Sequence, residues 1–564
     1  MRRRIIYHIS FTGIFLCCFF IIACQDTTPK GETIAATPEE MQQKAAGLIK
    51  DFISKATADS GKTIDSFVLL KQGPLCKQVY DTVNFIPRWS REEKWLPAGD
   101  SVYAFIEGAK RYGLFPEDYH YGSLKEIRGR FFADSLSRGD RKDALWWARA
   151  DVLLTDAFFQ LIRDIKLGRL PNDSVTLRKD SVLSDAFYKD QWTQLQQTHS
   201  ITALANALEP VHKGYQLLKA AIPVFLNSAE NKEYTLVPAP GKDPTLFKKA
   251  LQQRLFEGGY IAFDSVAADS VQLAEAVKKF QKAKGITVDG KAGEGTVRML
   301  NINDRERFVR IAISMDKFKL LPEQMPVKYV WVNAAANNMQ LVDGGEVKIA
   351  SRVITGKPKT RTPMLTSAIN ALITYPQWVP PPSIVQKEIL PAVKKNPGYL
   401  GRKGFSLLDK DGNEVDPYTV DWTKYSKTVP YRIVQGSGDA NALGIMKFVF
   451  DNKYSVYLHD TNQRYLFGNA MRSLSHGCVR VQEWQPLAYW LLRNDSVGGG
   501  GRSTRVDSVK IWLANKQKRT IPLRNKVPVF IRYITCDVLD GKLVFFDDVY
   551  GDDKYLREKY FAGK

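Results

Sequence analysis

The chain has 564 residues, 44% hydrophobic, 11% aromatic and 25% charged, proportions of an ordinary globular protein that exclude a fibrous or wholly disordered chain. Its length points to three or four packed domains of about 150 residues each. The formal net charge of +21 favours polyanions, membrane surfaces or acidic polymers, but no zinc-finger spacing, Walker loop or basic zipper accompanies it, and nucleic-acid binding is not expected.

The N-terminus reads "MRRRIIYHISFTGIFLCCFFIIAC", in which Arg2, Arg3 and Arg4 precede an apolar run from Ile5 to Ala23. This is the make-up of an export signal over 1–24, outside the folded body. The ending Ile21-Ile22-Ala23-Cys24 resembles a bacterial lipobox, which implies lipidation of Cys24. The alternative is an uncleaved signal anchor, because the apolar run nearly spans a bilayer. Cys17, Cys18 and Cys24 belong to this segment, leaving Cys76, Cys478 and Cys536 in the body. An odd number cannot pair completely, so a reactive thiol is expected in an oxidising compartment.

Residues 25–65 are polar and poor in aromatics and are expected to form a flexible linker. From 66 to 240 the spacing is helical: Leu145, Ala148, Val152, Leu153, Ala157, Leu161 and Ile162 recur every three or four residues before Gly168 and Pro171 end the run. This stretch reads as a helical scaffold domain, with Trp146 and Trp147 as packing residues. Residues 244–302 contain two amphipathic helices and a short third between glycine turns, with Leu251, Leu255, Ala276, Val277, Phe280, Val297 and Leu300 as core. From 325 to 540 the period shifts to that of strands, beginning with a hairpin about the "DGG" turn. Within it, the polar, proline-rich, partly helical stretch 380–425 is expected to be an inserted lid, and "GGGG" at 498–501 a loop. A hairpin turning at Asp540-Gly541 closes the domain, Cys536 being a buried structural thiol, and 541–564 is a C-terminal tail. The fold class is a multi-domain α+β protein.

The chemistry centres on "SLSHGCVRVQ". A nucleophilic thiol needs a base and donors for the oxyanion formed on attack at a carbonyl. His459 ends the strand-like run "YSVYLHD", and fifteen residues separate it from Ser475, enough for the chain to loop out and return. Gly477 permits backbone geometries in which successive N–H groups, from His476, Gly477 and Cys478, converge as an oxyanion hole. Other readings stand beside this one. A zinc site of His459, His476 and Cys478 would lack a fourth ligand at suitable spacing. A buried inert cysteine would have unsuitably polar Ser-His-Gly flanks, and a redox cysteine would have no resolving partner nearby.

At these residues the chain resembles the L,D-transpeptidase (YkuD) catalytic domain family, whose signature is a histidine, fourteen to seventeen residues, then Ser/Thr-His-Gly-Cys. Arg480 stands where the signature usually has Asn, as in the large periplasmic branch typified by YcbB. The 244–302 stretch, through "AVKKFQ" and "DGKAGEGT", resembles the three-helix peptidoglycan-binding domain. Its rival reading is a helical module that only braces its neighbours. Similarity to the YcbB-like branch runs in order from about 70 to 555, through "VITGKPKTRTPMLTS", "QWVPPPSIVQKEILP" and "NALGIMKFVF".

The resemblance implies Cys478 as nucleophile, His459 as general base, Asp460 orienting it through its backbone carbonyl, and His476 and Gly477 at the oxyanion hole. It makes Ser475, Arg480, Tyr457 and Trp378 candidates for substrate binding, with no metal and no cofactor. The implied reaction is attack on a tetrapeptide stem of peptidoglycan with release of D-Ala, then transfer of the thioester to a diamino-acid amine, giving a 3-3 cross-link. Alternatives are an L,D-carboxypeptidase, attachment of a protein lysine to the wall, or a non-catalytic wall tether. The implied location is the bacterial envelope, periplasmic and lipid-anchored, and the implied inhibitors are carbapenems.

Overall fold

In the computed structural model, residues 33–58, 64, 68–132, 142–229, 234–241, 243–262, 269–284, 288–495 and 504–564 are described. The export signal, Cys24 and the glycine run 498–501 lie outside them. Two compact units form: Met1–Glu107, Pro116–Ile162 and Asp185–Leu204 make the first, and Gly108–Phe115, Arg163–Ser184 and Ala205–Lys564 the second. The helical stretch expected as one domain over 66–240 therefore divides between them. No helix among the described residues is long and apolar enough to cross a membrane.

The linker expected over 25–65 is instead a helix over Pro38–Ala58. Met41, Ala45, Ile49, Phe52, Ile53 and Ala56 recur at three- and four-residue intervals and are all buried, and that stripe holds the segment against the first unit. The expected helix at 145–162 runs Ala144–Lys166, and Gly168, at φ +73, stands just beyond its end. Trp147 stacks on Phe131 with ring centroids 3.9 Å apart, the packing role expected of it. At the centre of this unit, buried Asp151 accepts hydrogen bonds from the Arg88 and Trp89 amides and the Tyr80 hydroxyl.

In the second unit the three-helix module comprises Pro244–Glu257, Ser270–Ala283 and Glu294–Leu300. Asp243 and Asp269 cap the first two helices by accepting main-chain N–H bonds, and all seven expected core residues are buried in one cluster. Helix Asp304–Lys319 follows, capped by Asn303 and buried on most of its circumference.

Nine strands then build a mixed sheet: β1 Lys328–Asn333, β2 Asn338–Asp343, β3 Glu346–Gly356, β4 Leu365–Thr374, β5 Met446–Phe450, β6 Leu458–His459, β7 Ser473–Ser475, β8 Val479–Val481 and β9 Arg519–Arg532. Their order is β7-β3-β8-β6-β5-β4-β9-β1-β2, and β2 also pairs with β3, closing eight of them into a ring with β7 at one end of β3. The ring packs with helices Trp484–Asn494 and Thr504–Ala514 around Val330, Leu341, Phe448, Leu458, Val479, Leu487 and Val509.

The insertion begins and ends earlier and later than expected: Trp378 and Gln435 exchange main-chain hydrogen bonds of 3.0 and 2.7 Å across its neck. The run "YRIVQG" is thus a lid strand, Arg432–Gln435, paired with Phe405–Leu408. The lid has its own core of Ile384, Leu390, Val393, Leu400, Leu407, Trp422 and Ile433. The supposed tail 541–564 is also folded. Lys542–Phe545 completes the hairpin with Cys536–Leu539, helix Asp552–Tyr560 follows, and Tyr550 and Phe561 are buried. Cys536 is fully buried in that hairpin.

Candidate active site

β6 and β8 run parallel with Leu458 opposite Val479 and His459 opposite Arg480, while His459 faces Lys447 of antiparallel β5 on its other side. Successive side chains of a strand alternate in direction, so Leu458 and Val479 enter the core and Tyr457, His459, Cys478, Arg480 and Lys447 share the opposite face. This face is the candidate site.

His459 is 4% exposed, and its Nδ1–H donates to the Asp460 carbonyl at 2.5 Å. Since a carbonyl only accepts, the nitrogen that meets it, Nδ1, carries a ring proton. Burial, reinforced by the Arg480 charge, pulls the imidazole pKa down to about 3. The Asp460 carboxylate serves the backbone instead, accepting from the Ile445 amide at 3.2 Å and pairing with Arg464 at 2.6 Å.

The Cys478 thiol is half-buried and contacts the Ser455 carbonyl at 3.9 Å. Burial pushes its pKa up, while the Tyr457 amide and hydroxyl and the charges of Lys447 and Arg480 oppose that shift. Among the described residues His459 and Cys478 share a face without being joined by a hydrogen bond, so the resting pair is a neutral thiol beside a neutral imidazole. Tyr457 links the site to the lid: its hydroxyl lies between Cys478 and the Trp378 indole, and the Lys447 ammonium sits 3.8 Å above its ring centroid. Arg480 donates to the Gln463 side chain at 2.9 Å and keeps a buried, unpartnered Nε–H.

Two expected roles change. Ser475 was a candidate for substrate contact, but its buried hydroxyl donates to the Cys478 carbonyl at 2.6 Å and accepts the Gly477 amide at 3.0 Å. It braces the loop from within and engages the very N–H expected of Gly477 at an oxyanion hole. The Cys478 amide, like that of His476, has no acceptor among the described residues. Gly477 adopts φ +123, a conformation that disfavours any side chain. The His476 side chain turns out to the lid, where its Nε2 meets Glu388 at 2.5 Å. A wider helical turn presents Glu388: Pro391 has no N–H to give, and the Leu390 amide reaches back to Val385.

Sequence reasoning missed Lys447, Glu388 and the turn 357–362 that carries the loop. Lys447 had a visible signal, as the one charge in "IMKFVF". The turn holds the loop through three bonds: Lys357 N–H and Thr360 Oγ1–H donate to the Ser475 carbonyl at 2.9 and 3.0 Å, and Thr362 Oγ1–H to Gly477 O at 2.8 Å. No cluster of three or more His, Cys, Asp or Glu side chains suited to a metal occurs among the described residues. Removing the ammonium with Lys447→Met is expected to slow iodoacetamide alkylation of Cys478 at pH 7.5 by roughly tenfold, as loss of a nearby opposite charge raises the thiol pKa by about one unit. An unchanged rate would exclude an electrostatic role for Lys447.

A cysteine and a histidine on one face of a closed mixed sheet, beside an insertion with its own core, define a thiol–imidazole site on a β-domain. The comparisons place that domain. Residues 327–498 match the family model described as "L,D-transpeptidase catalytic domain", 74–222 that described as "Scaffold domain", and 246–300 that described as "Putative peptidoglycan binding domain". The chain carries a YkuD-type L,D-transpeptidase catalytic domain together with a peptidoglycan-binding domain. A curated relative from Haemophilus influenzae, named "Putative L,D-transpeptidase", is 34% identical over 247 residues, which are 44% of this chain and 48% of that protein. The chain thus spans about half the length of this relative. A solved structure titled "Structure of the Ldtfm-avibactam carbamoyl enzyme" matches at 9% identity over 56% of this chain and 96% of the other, with a TM-score of 0.15.

Proposed function

We propose that this protein is a peptidoglycan L,D-transpeptidase that forms 3-3 cross-links through a thioester on Cys478. The observation that carries this reading is the shared strand face of Cys478, His459 and Tyr457 within a catalytic domain of that family. His459 Nε2 takes the thiol proton as Sγ attacks the carbonyl between the third and fourth stem residues. The oxyanion is met by the free Cys478 amide. The C–N bond breaks, the imidazolium returns the proton to the departing D-Ala amine, and a thioester remains. A diamino-acid amine of a neighbouring stem then attacks, His459 takes its proton, and the thiol is regenerated.

The Asp460 carbonyl supports this by holding a ring proton on Nδ1. Because the resting pair is neutral, proton transfer belongs to the substrate complex, where lid closure over Trp378 and Tyr457 excludes water. Arg480 would hold a stem carboxylate and Tyr457 the intermediate. The peptidoglycan-binding domain would present the wall, and the basic Arg2–Arg4 signal with Cys24 lipidation would anchor the chain in the bacterial envelope, facing the periplasm.

The test is incubation of the purified protein with disaccharide-tetrapeptide and mass analysis of the products. Cross-linked dimers that have lost one D-Ala are the expected outcome. Tripeptide monomers alone would make the acceptor water and the enzyme a carboxypeptidase, and no product would leave a wall tether. Carbapenem acylation of Cys478, read by intact mass, is expected from the same nucleophile.

The pH dependence follows from the two shifts. The thiol pKa lies above its ordinary value and the imidazole pKa, near 3, lies below any working pH. Alkylation of Cys478 is therefore expected to rise about tenfold per pH unit from 6 to 8, because only the thiolate reacts. An inflection near pH 6.5 would mean that His459 titrates at its ordinary value and that the neutral resting pair is wrong.

A further inference from the structure

A cavity of about 560 Å³ lies in the second unit between helix Asp304–Lys319, the end of β9 and helix Asp552–Tyr560, within the size range of small-molecule sites. Its wall is mainly apolar and aromatic, with Trp331, Met364, Leu556 and Tyr560 among the residues that line it. The charges on the wall are mostly answered. Lys317 pairs with Asp553 at 2.7 Å and Arg361 with Asp552 at 2.9 Å, and the Asp173 carboxylate accepts from the Val175 amide and the Thr176 hydroxyl.

Arg532, like Asp173, makes no ion pair. It is only 6% exposed, and its four hydrogen bonds go to neutral acceptors: the Leu365, Ile531 and Val175 carbonyls and the Thr366 hydroxyl. No carboxylate among the described residues forms an ion pair with it. Burial draws its pKa down to about 10, and the Asp173 charge opposes that shift. A buried cation at one end of an apolar cavity is complementary to a carboxylate with a hydrophobic body.

The same wall supports the candidate active site from behind. Arg361 and Met364 flank Thr362, whose hydroxyl donates to Gly477 O and accepts the Gly356 amide at 2.8 Å. Tyr550, next to wall residue Gly551, donates to the Gly356 carbonyl at 2.8 Å and accepts the Thr362 amide at 3.2 Å. We propose that this cavity binds an amphipathic carboxylate, with its head at Arg532 and its body against Trp331 and Leu556, and that occupancy is transmitted through Arg361, Thr362 and Tyr550 to the loop bearing Cys478.

The test is calorimetric titration of the full chain with 4-phenylbutyrate and with its uncharged counterpart 4-phenylbutan-1-ol. Saturable binding with a preference of about tenfold or more for the carboxylate is expected, falling to near unity in Arg532→Gln. Leu556→Trp, which fills the cavity without touching the buried arginine, is expected to weaken both probes about tenfold or more and decides the matter if Arg532→Gln does not fold. Equal binding of the alcohol, no saturation up to roughly 10 mM, or undiminished binding by Leu556→Trp would overturn the site. Saturating 4-phenylbutyrate is expected to change the iodoacetamide alkylation rate of Cys478 by about threefold or more, an effect absent in Leu556→Trp, and an unchanged rate would overturn the transmission. Neither readout requires peptidoglycan transfer, so failure here is distinguishable from failure of the proposed activity.

Discussion

Cys478→Ala is expected to abolish formation of both cross-linked dimers and tripeptide monomers from disaccharide-tetrapeptide, a fall of about 10³-fold or more, because no other group can form the acyl-enzyme. The other two body thiols are the internal controls. Cys76 and Cys536 are fully buried, and burial raises both of their pKa values, so neither supplies a thiolate. Cys76→Ala and Cys536→Ala are expected to keep the activity and to lower the melting temperature instead, since each removes a packed sulfur from a closed core. Product mass spectra and melting curves for the three variants check this together. Residual dimer formation by Cys478→Ala would refute the thioester.

Gly356→Val is the second large effect, and it acts without touching the thiol. A Cβ at Gly356 would stand 2.0 Å from the Thr360 carbonyl oxygen and 2.7 Å from the Thr362 nitrogen, so the whole turn must shift. That turn holds Ser475 and Gly477 by their carbonyls, and displacing it misplaces the nucleophile. A displacement of about 1 Å is worth about 10²-fold in rate, so kcat is expected to fall by about that factor, with destabilisation of about 1–3 kcal/mol from overpacking. Gly47→Ala is the matched control. It lies in helix Pro38–Ala58 with nothing near its missing Cβ, and the substitution should leave kcat unchanged while stabilising by about 0.5–1 kcal/mol. Wild-type kcat in Gly356→Val would show that the turn does not set the position of Cys478.

The fold was most legible where periodicity is local. The seven core positions of the three-helix module, the helix over 144–166 and the hairpin about Asp540-Gly541 all follow from spacing within one element. Two segments were misread because local composition outweighed a sparse pattern. The apolar stripe of Pro38–Ala58 is diluted by Gln, Glu and Lys, and helix Asp552–Tyr560 carries mostly charged residues while Tyr550 and Phe561, on either side of it, are buried. The lid was placed but its neck was not. Trp378 and Gln435 are far apart in sequence, and only their mutual hydrogen bonds show where the lid begins and ends.

The sequence alone singled out His459 and Cys478 as candidates, because one strand ending in histidine and one glycine-preceded cysteine lie on a short connection. Only the tertiary structure decided what surrounds them. Strand register brought Lys447 beside His459, the Ser475 hydroxyl took the Gly477 amide, Glu388 came over His476, and Thr362 fastened the loop to the floor of the site. Register between distant strands depends on which apolar faces can be buried together, and a one-residue slip of its strand would turn Lys447 to the other face.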